Sequence, residues 1–200
     1  MKSIALKRKT SIPIKKYIGL YLFLFIVALL AFLDHYNESP LDVERLQASE
    51  GLGQGRSSAV YPAPDFTLRN LNGNWDSLSN YKGQVVILNI WATWCGPCRI
   101  EMPSLESLYR RFRSEGVAVL AVSIDKGSDE KVRSFAREYQ LSFPVLLDAD
   151  GQVERLFPTP SIPATYVIDK AGQVIAKVDG AKNWESPETF GAVEYLLKPS

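Results

Sequence analysis

The sequence predicts an α/β domain built on a central mixed β-sheet with helices on both faces. Three observations carry that reading. Two near-continuous apolar runs, Gln84–Trp91 and Val117–Ile124, have the pattern of strands covered on both sides. Each is followed by a segment whose apolar residues recur at helical spacing. Toward the C-terminus two more strand-like runs are joined by a short turn and followed by a last helix.

Three segments precede that domain. Residues 1–16 form a basic head with six cations (Lys2, Lys7, Arg8, Lys9, Lys15, Lys16) and no acid. The remainder holds 17 Lys and Arg against 22 Asp and Glu, a net charge of −5. A body of that sign offers no electrostatic footprint for nucleic acid. Tyr17–Leu33 (YIGLYLFLFIVALLAFL) is a 17-residue run without a charge. It matches the short end of a membrane-spanning helix, for which ~17–25 residues serve. The cations before it predict a cytoplasmic N-terminus and export of everything after Leu33. No A-x-A triplet follows Ala31, so the run is expected to stay as an uncleaved anchor. Residues 34–60, ending in GLGQGRSSA, read as a flexible linker to a domain over 61–200.

Within the domain, Phe66–Leu71 and Trp75–Leu78 flank Asn72-Gly73 and predict a hairpin. After the strand Gln84–Trp91, a helix is expected from about Pro97 to Ser114. Leu105, Leu108, Tyr109 and Phe112 form its inner stripe, and Arg110, Arg111 and Arg113 face water. The second buried strand leads to a helix near Ser128–Gln140, with Val132, Phe135, Ala136 and Tyr139 on one face. A short strand at Pro144–Leu147, a turn at Asp150-Gly151 and a helical piece at Val153–Phe157 come next. Ala164–Asp169 and Gln173–Val178 read as a hairpin around Lys170-Ala171-Gly172, and the last helix spans Pro187–Leu197.

Both cysteines of the chain fall in one C-x-x-C, Cys95-Gly96-Pro97-Cys98, between the most apolar strand and a helix. Two cysteines and one histidine cannot fill a four-ligand structural zinc site, so no metal is expected. Cys95 lies just before the first turn, where free N–H groups and the positive helix end favour an anion. A thiolate is favoured there over a thiol, which makes Cys95 the attacking sulfur. Cys98, inside the first turn, can reach only its neighbour and so resolves a mixed disulfide. Pro97 takes a first-turn position where its missing N–H costs nothing. Gly96 allows a partner chain to approach, and Trp94 shields one side of the sulfur. In an oxidising compartment, a single cysteine pair exchanges disulfides without scrambling its own domain.

The run IWATWCGPC at Ile90–Cys98 continues as Arg99-Ile100-Glu101-Met102-Pro103. With it the chain resembles the membrane-anchored TlpA/ResA-like branch of the thioredoxin-like fold, whose pattern is W-C-x-x-C-x-x-E-x-P. Ala63–Phe66 (APDF), Phe143–Asp148 (FPVLLD) and Ile162-Pro163-Ala164-Thr165 support the resemblance, which covers about Tyr61–Ser200. It implies a thioredoxin-like sheet with an N-terminal hairpin and a central insertion. It also implies a cis Pro163 beside the cysteines, Glu101 as an acidic active-site group, and client contact through Trp94, Gly96, Pro97, Ile162 and Pro163. Where thioredoxin carries a buried aspartate, this chain has Asn89, which reads as a hydrogen-bonding core amide.

The resemblance further implies a protein disulfide oxidoreductase with no cofactor beyond the Cys95–Cys98 pair. Its partners are exported proteins bearing disulfides, apocytochrome c among them, and a membrane electron donor that re-reduces it. The Gly96-Pro97 dipeptide matches that of reducing thioredoxins and favours reduction of clients over oxidation. A peroxiredoxin needs Thr three residues before its reactive cysteine, where this chain has Ala92. A copper-delivery protein of this fold needs C-x-x-x-C and a histidine in the domain, and the sequence has neither.

Overall fold

The computed structural model describes residues 26–29 and 60–198. The chain divides into two units, Met1–Val43 and Glu44–Ser200. In the first, residues 26–29 form one helical turn with exposed side chains. Among the described residues no helix is long and apolar enough to cross a membrane. The rest of the predicted anchor Tyr17–Leu33, the basic head and linker residues 34–59 lie outside the described residues.

The described residues of the second unit hold eight strands in one mixed sheet. They are β1 (Tyr61–Pro62), β2 (Thr67–Asn70), β3 (Trp75–Ser77), β4 (Val85–Trp91), β5 (Val117–Ser123), β6 (Val145–Leu147), β7 (Ala164–Ile168) and β8 (Gln173–Asp179). Their order across the sheet is β1-β8-β7-β4-β5-β6-β2-β3. β4, β5 and β6 run parallel, while β7 is antiparallel to β4. Among the described residues four α-helices accompany them: α1 (Gly96–Phe112), α2 (Glu130–Glu138), α3 (Gln152–Leu156) and α4 (Pro187–Leu197). Every residue of β4, β5 and β7 is buried, in keeping with their near-continuous apolar composition, which Asn89, Ser123 and Thr165 interrupt.

Alternation along the strands sorts the core into two layers. Val85, Ile87 and Trp91 of β4 pack with Met102, Leu105, Leu108 and Phe112 of α1, Val132 and Phe135 of α2, and Val193 of α4. Val86, Leu88 and Ile90 face the other way, onto Phe66, Leu78, Val153, Phe157 and Tyr166. The expectation of helices on both faces therefore holds unevenly. Three of the four helices belong to the first layer. The second is covered by the five-residue α3, a 3-10 turn at Leu78–Tyr81 and the chain around Phe66.

The expected hairpin forms between β2 and β3, at the edge of the sheet beyond β6. Asn70 organises its loop: Oδ1 accepts from the amides of Asn72 and Asn74, and Gly73 takes φ 83°. Leu78 is not the end of β3 as its sequence pattern suggests; it opens the 3-10 turn and is buried there. Between β5 and the Ile162-Pro163 turn the chain carries α2, β6 and α3, the place of the expected central insertion. α4 begins and ends where the pattern predicts. Ser186 caps it by accepting from the Thr189 amide, and Pro187 occupies its first turn.

Candidate active site

The site lies where β4 ends and α1 begins. A loop of three residues, Ala92 to Trp94, joins the strand to Cys95, and one carboxylate fixes it. Asp125, just past β5, accepts from the Thr93 amide (2.8 Å), the Thr93 hydroxyl (2.6 Å) and the Ser123 hydroxyl (2.8 Å). A carboxylate holding three donors is a firm anchor, because charge-assisted bonds are roughly twice as strong as neutral ones.

Cys95 is the N-cap of α1. Its Sγ accepts from the Cys98 amide at 3.2 Å, the place where a capping oxygen ordinarily sits. The sequence expectation of an anion-favouring sulfur thus has its geometry: one N–H points at Sγ from the positive helix end. Cys95 and Cys98 are joined in a disulfide, with Cα atoms 5.3 Å apart. Cys95 keeps 5% of its surface exposed and Cys98 none, so an incoming chain meets Cys95 first.

Around that sulfur the structure gathers the other residues expected there. Trp94, Gly96 and Pro97 are exposed beside it, Trp94 with 69% of its surface free. No atom lies within 4 Å of where a Gly96 Cβ would stand. The Ile162 carbonyl oxygen is 3.7 Å from Cys95 Sγ, and the Ile162-Pro163 peptide bond is cis, as the resemblance implies. Ile100, one turn along α1, adds a second large exposed apolar side chain. Arg99 turns away from the sulfurs, over the stacked rings of Phe135 and Tyr139.

Glu101 sits on the buried side of α1, one turn beyond Cys98, with only 2% of its surface exposed. It is not a solvated first-turn glutamate. Its Oε1 accepts from Asn89 Nδ2 at 2.8 Å. Its Oε2 accepts from the Lys182 amide and from Trp184 Nε1, each at 3.1 Å. Burial pushes its pKa above the ordinary carboxylate value, and the three donors oppose that push without cancelling it. Asn89 is a hydrogen-bonded core amide, as expected. Its Nδ2 also donates to Thr165 Oγ1 at 2.9 Å, across the β4–β7 pair in which the two residues are directly opposed.

Asp125, Thr165, Lys182 and Trp184 were not singled out by sequence reasoning. Thr165 sits inside the Ile162–Thr165 run, and Asp125 closes the β5 run, so both lay beside legible motifs. No local signal marks Lys182 or Trp184, which reach Glu101 from 81 and 83 positions away.

Comparison with known proteins agrees with this geometry. Residues 60–177 match the model of the AhpC/TSA family. The thiol-disulfide oxidoreductase ResA of Bacillus thuringiensis subsp. konkukian is 37% identical over 136 residues, covering 68% of this chain and 75% of that protein. ResA of Bacillus subtilis is 40% identical over 118 residues, 59% of this chain and 65% of that protein. Among solved structures, a Chlorobium tepidum protein assigned as the thiol:disulfide interchange protein DsbE superposes with a TM-score of 0.63 at 30% identity. That match covers 68% of this chain and 96% of the other. StoA from Bacillus subtilis gives 0.55 at 26% identity, over 63% of this chain and 95% of its own. With its cysteine pair joined at the head of α1 on a thioredoxin-like sheet, the chain belongs to the AhpC/TSA family as a ResA-type thiol-disulfide oxidoreductase.

Proposed function

We propose that the protein is exported, tethered to the cytoplasmic membrane by Tyr17–Leu33, and reduces disulfides in other exported proteins, apocytochrome c among its clients. The observation that carries the reading is the pairing of an accessible N-cap sulfur with a fully covered one, behind a basic head and an apolar run.

In the forward turn the Cys95 thiolate attacks a client disulfide. The client S–S bond breaks, one client sulfur leaves as a thiolate, and a mixed disulfide forms at Cys95. Cys98 then attacks Cys95 Sγ, the mixed bond breaks, and the client departs as a dithiol carrying two electrons. The protein is left with the Cys95–Cys98 disulfide. Cys98 must lose its proton for this step. Glu101, one helical turn away and with its pKa raised by burial, is suited to take it. Trp94, Gly96, Pro97 and Ile162 form the surface against which the client chain lies, with Pro163 buried directly behind Ile162. A membrane dithiol donor then reduces the pair again.

Relatives named thiol-disulfide oxidoreductase ResA support the chemistry, and the charge pattern of the first 33 residues supports the location. Acid-quenched alkylation of Cys95 and Cys98 in growing cells tests the direction of electron flow. A reductase is found mostly as the dithiol and shifts to the disulfide when the membrane donor is removed. A pair that stays oxidised with or without the donor marks an oxidase and ends the proposal.

A further inference from the structure

Glu101 has two oxygens in unlike surroundings. Oε2 accepts from the Lys182 amide and the Trp184 indole, groups that only donate. A proton placed on Oε2 meets those two N–H groups and finds no acceptor. Oε1 faces the Asn89 amide, which carries a donor and an acceptor on one carbon. The proton of a neutral Glu101 therefore belongs on Oε1.

The Asn89 amide is placed to answer it. As it stands, Nδ2 bridges Glu101 Oε1 and Thr165 Oγ1, while Oδ1 is buried with no partner among the described residues. A half-turn of the amide exchanges the two atoms. Oδ1 then accepts from the protonated Oε1 and from the Thr165 hydroxyl, which can give a bond as readily as receive one. The separations of 2.8 and 2.9 Å suit either direction. The two arrangements are not equal. The first leaves one buried acceptor unsatisfied, and the second leaves a buried N–H pair without partners, the rarer and costlier defect.

We infer that Asn89 is a positioning residue for Glu101: its amide holds the buried carboxyl in the charged form and turns over each time Oε1 takes up or gives up a proton. The inference rests on the reading of Glu101 as the proton acceptor for the cysteine pair. The groups donating to the carboxyl are Asn89 from β4 and the Lys182 amide and Trp184 indole from the loop after β8, while Cys98 precedes it by one turn on α1. Partial burial holds the Lys182 ammonium below its ordinary pKa, and the charge of Glu188 opposes that shift. Asn89 is therefore the facing side chain that can reverse its bond.

The test is a pH titration of the full-length oxidised chain by NMR, reading the Glu101 side-chain carboxyl carbon and the Asn89 side-chain amide together. The two signals are expected to move with one midpoint. Asn89→Ala removes a donor to the charged form and should raise the Glu101 midpoint by about one pH unit. Asn89→Asp, close in shape, covers the case in which the alanine variant does not fold. It sets two carboxyls together and should add a titration step above the wild-type midpoint. An Asn89 signal that stays flat while Glu101 titrates, or variants that leave the midpoint in place, overturns the inference. The reading beneath it fails separately: an unchanged pH profile of thiol alkylation in Glu101→Gln removes Glu101 from the thiol chemistry and leaves the NMR result standing.

Discussion

At the scale of single residues, Glu101 shows what burial does to a carboxyl. Its surroundings supply three donors, yet loss of solvent outweighs them, so the folded chain binds a proton at Oε1 more readily than the unfolded chain does. Between the unfolded pKa and the higher folded one, the folded state holds more protons. Stability is therefore greatest below that window and falls as pH rises through it. Glu101→Gln copies the neutral acid in shape and lacks the titration. The variant should match the parent at low pH and exceed it above the window, by about 1.4 kcal/mol for each unit between the two pKa values. Urea unfolding of the oxidised protein across that range measures it. A variant that is less stable by the same amount at every pH contradicts the account.

The cysteines were legible because their spacing places them at the first turn of a helix, and the glutamate through the family resemblance that the same short motif carries. The rest of the site was not, for a physical reason. Thr165 meets Asn89 from 76 positions away, and Trp184 meets Glu101 from 83. Such contacts are made by the sheet order, and no local periodicity encodes them.

At the scale of elements, patterns with a long period were readable and short pieces were not. The stripe on α1 and the near-continuous apolar strands each extend over a full element, so their positions carry to within a few residues. The two-residue β1 has no period to read. It pairs with β8 only because the chain passes that edge. The uneven cover of the sheet was also hidden, since helix spacing says that one face is apolar and not which layer receives it.

The loop between β4 and α1 is the element on which function depends most. Its fixity comes from Asp125 on a neighbouring loop. Asp125→Ala leaves the Thr93 amide and two hydroxyls without their acceptor and should cost about 1–3 kcal/mol. It should also slow disulfide exchange, because the backbone just before Cys95 is no longer held. Chemical unfolding and turnover of a disulfide-bonded polypeptide check the two effects together. Loss of stability with full activity shows that the clamp matters to the fold alone.

At the scale of the whole molecule, the topology gathers four separate segments at one end of the sheet. The head of α1, the Ile162-Pro163 turn, the Asp125 loop and the loop after β8 converge on one pair of sulfurs. Gly180, at the start of that last loop, ties it to the turn by donating to the Pro163 carbonyl at 2.8 Å. The fold class was visible in the alternation of strands and helices, and the chemistry in a single C-x-x-C. The basic head and apolar run add a proposed location to that chemistry, which the in-cell alkylation experiment addresses.

The central claim is a division of labour between the two sulfurs: Cys95 attacks and Cys98 resolves. It rests on exposure and capping at the head of α1. Mixing the reduced Cys98→Ser and Cys95→Ser chains with a disulfide-bonded polypeptide tests it most directly, with covalent adducts read on a non-reducing gel. Cys98→Ser should accumulate a mixed disulfide through Cys95 that a reductant releases, and Cys95→Ser should form none. An adduct of similar yield on Cys95→Ser, or full turnover by Cys98→Ser, contradicts the assignment.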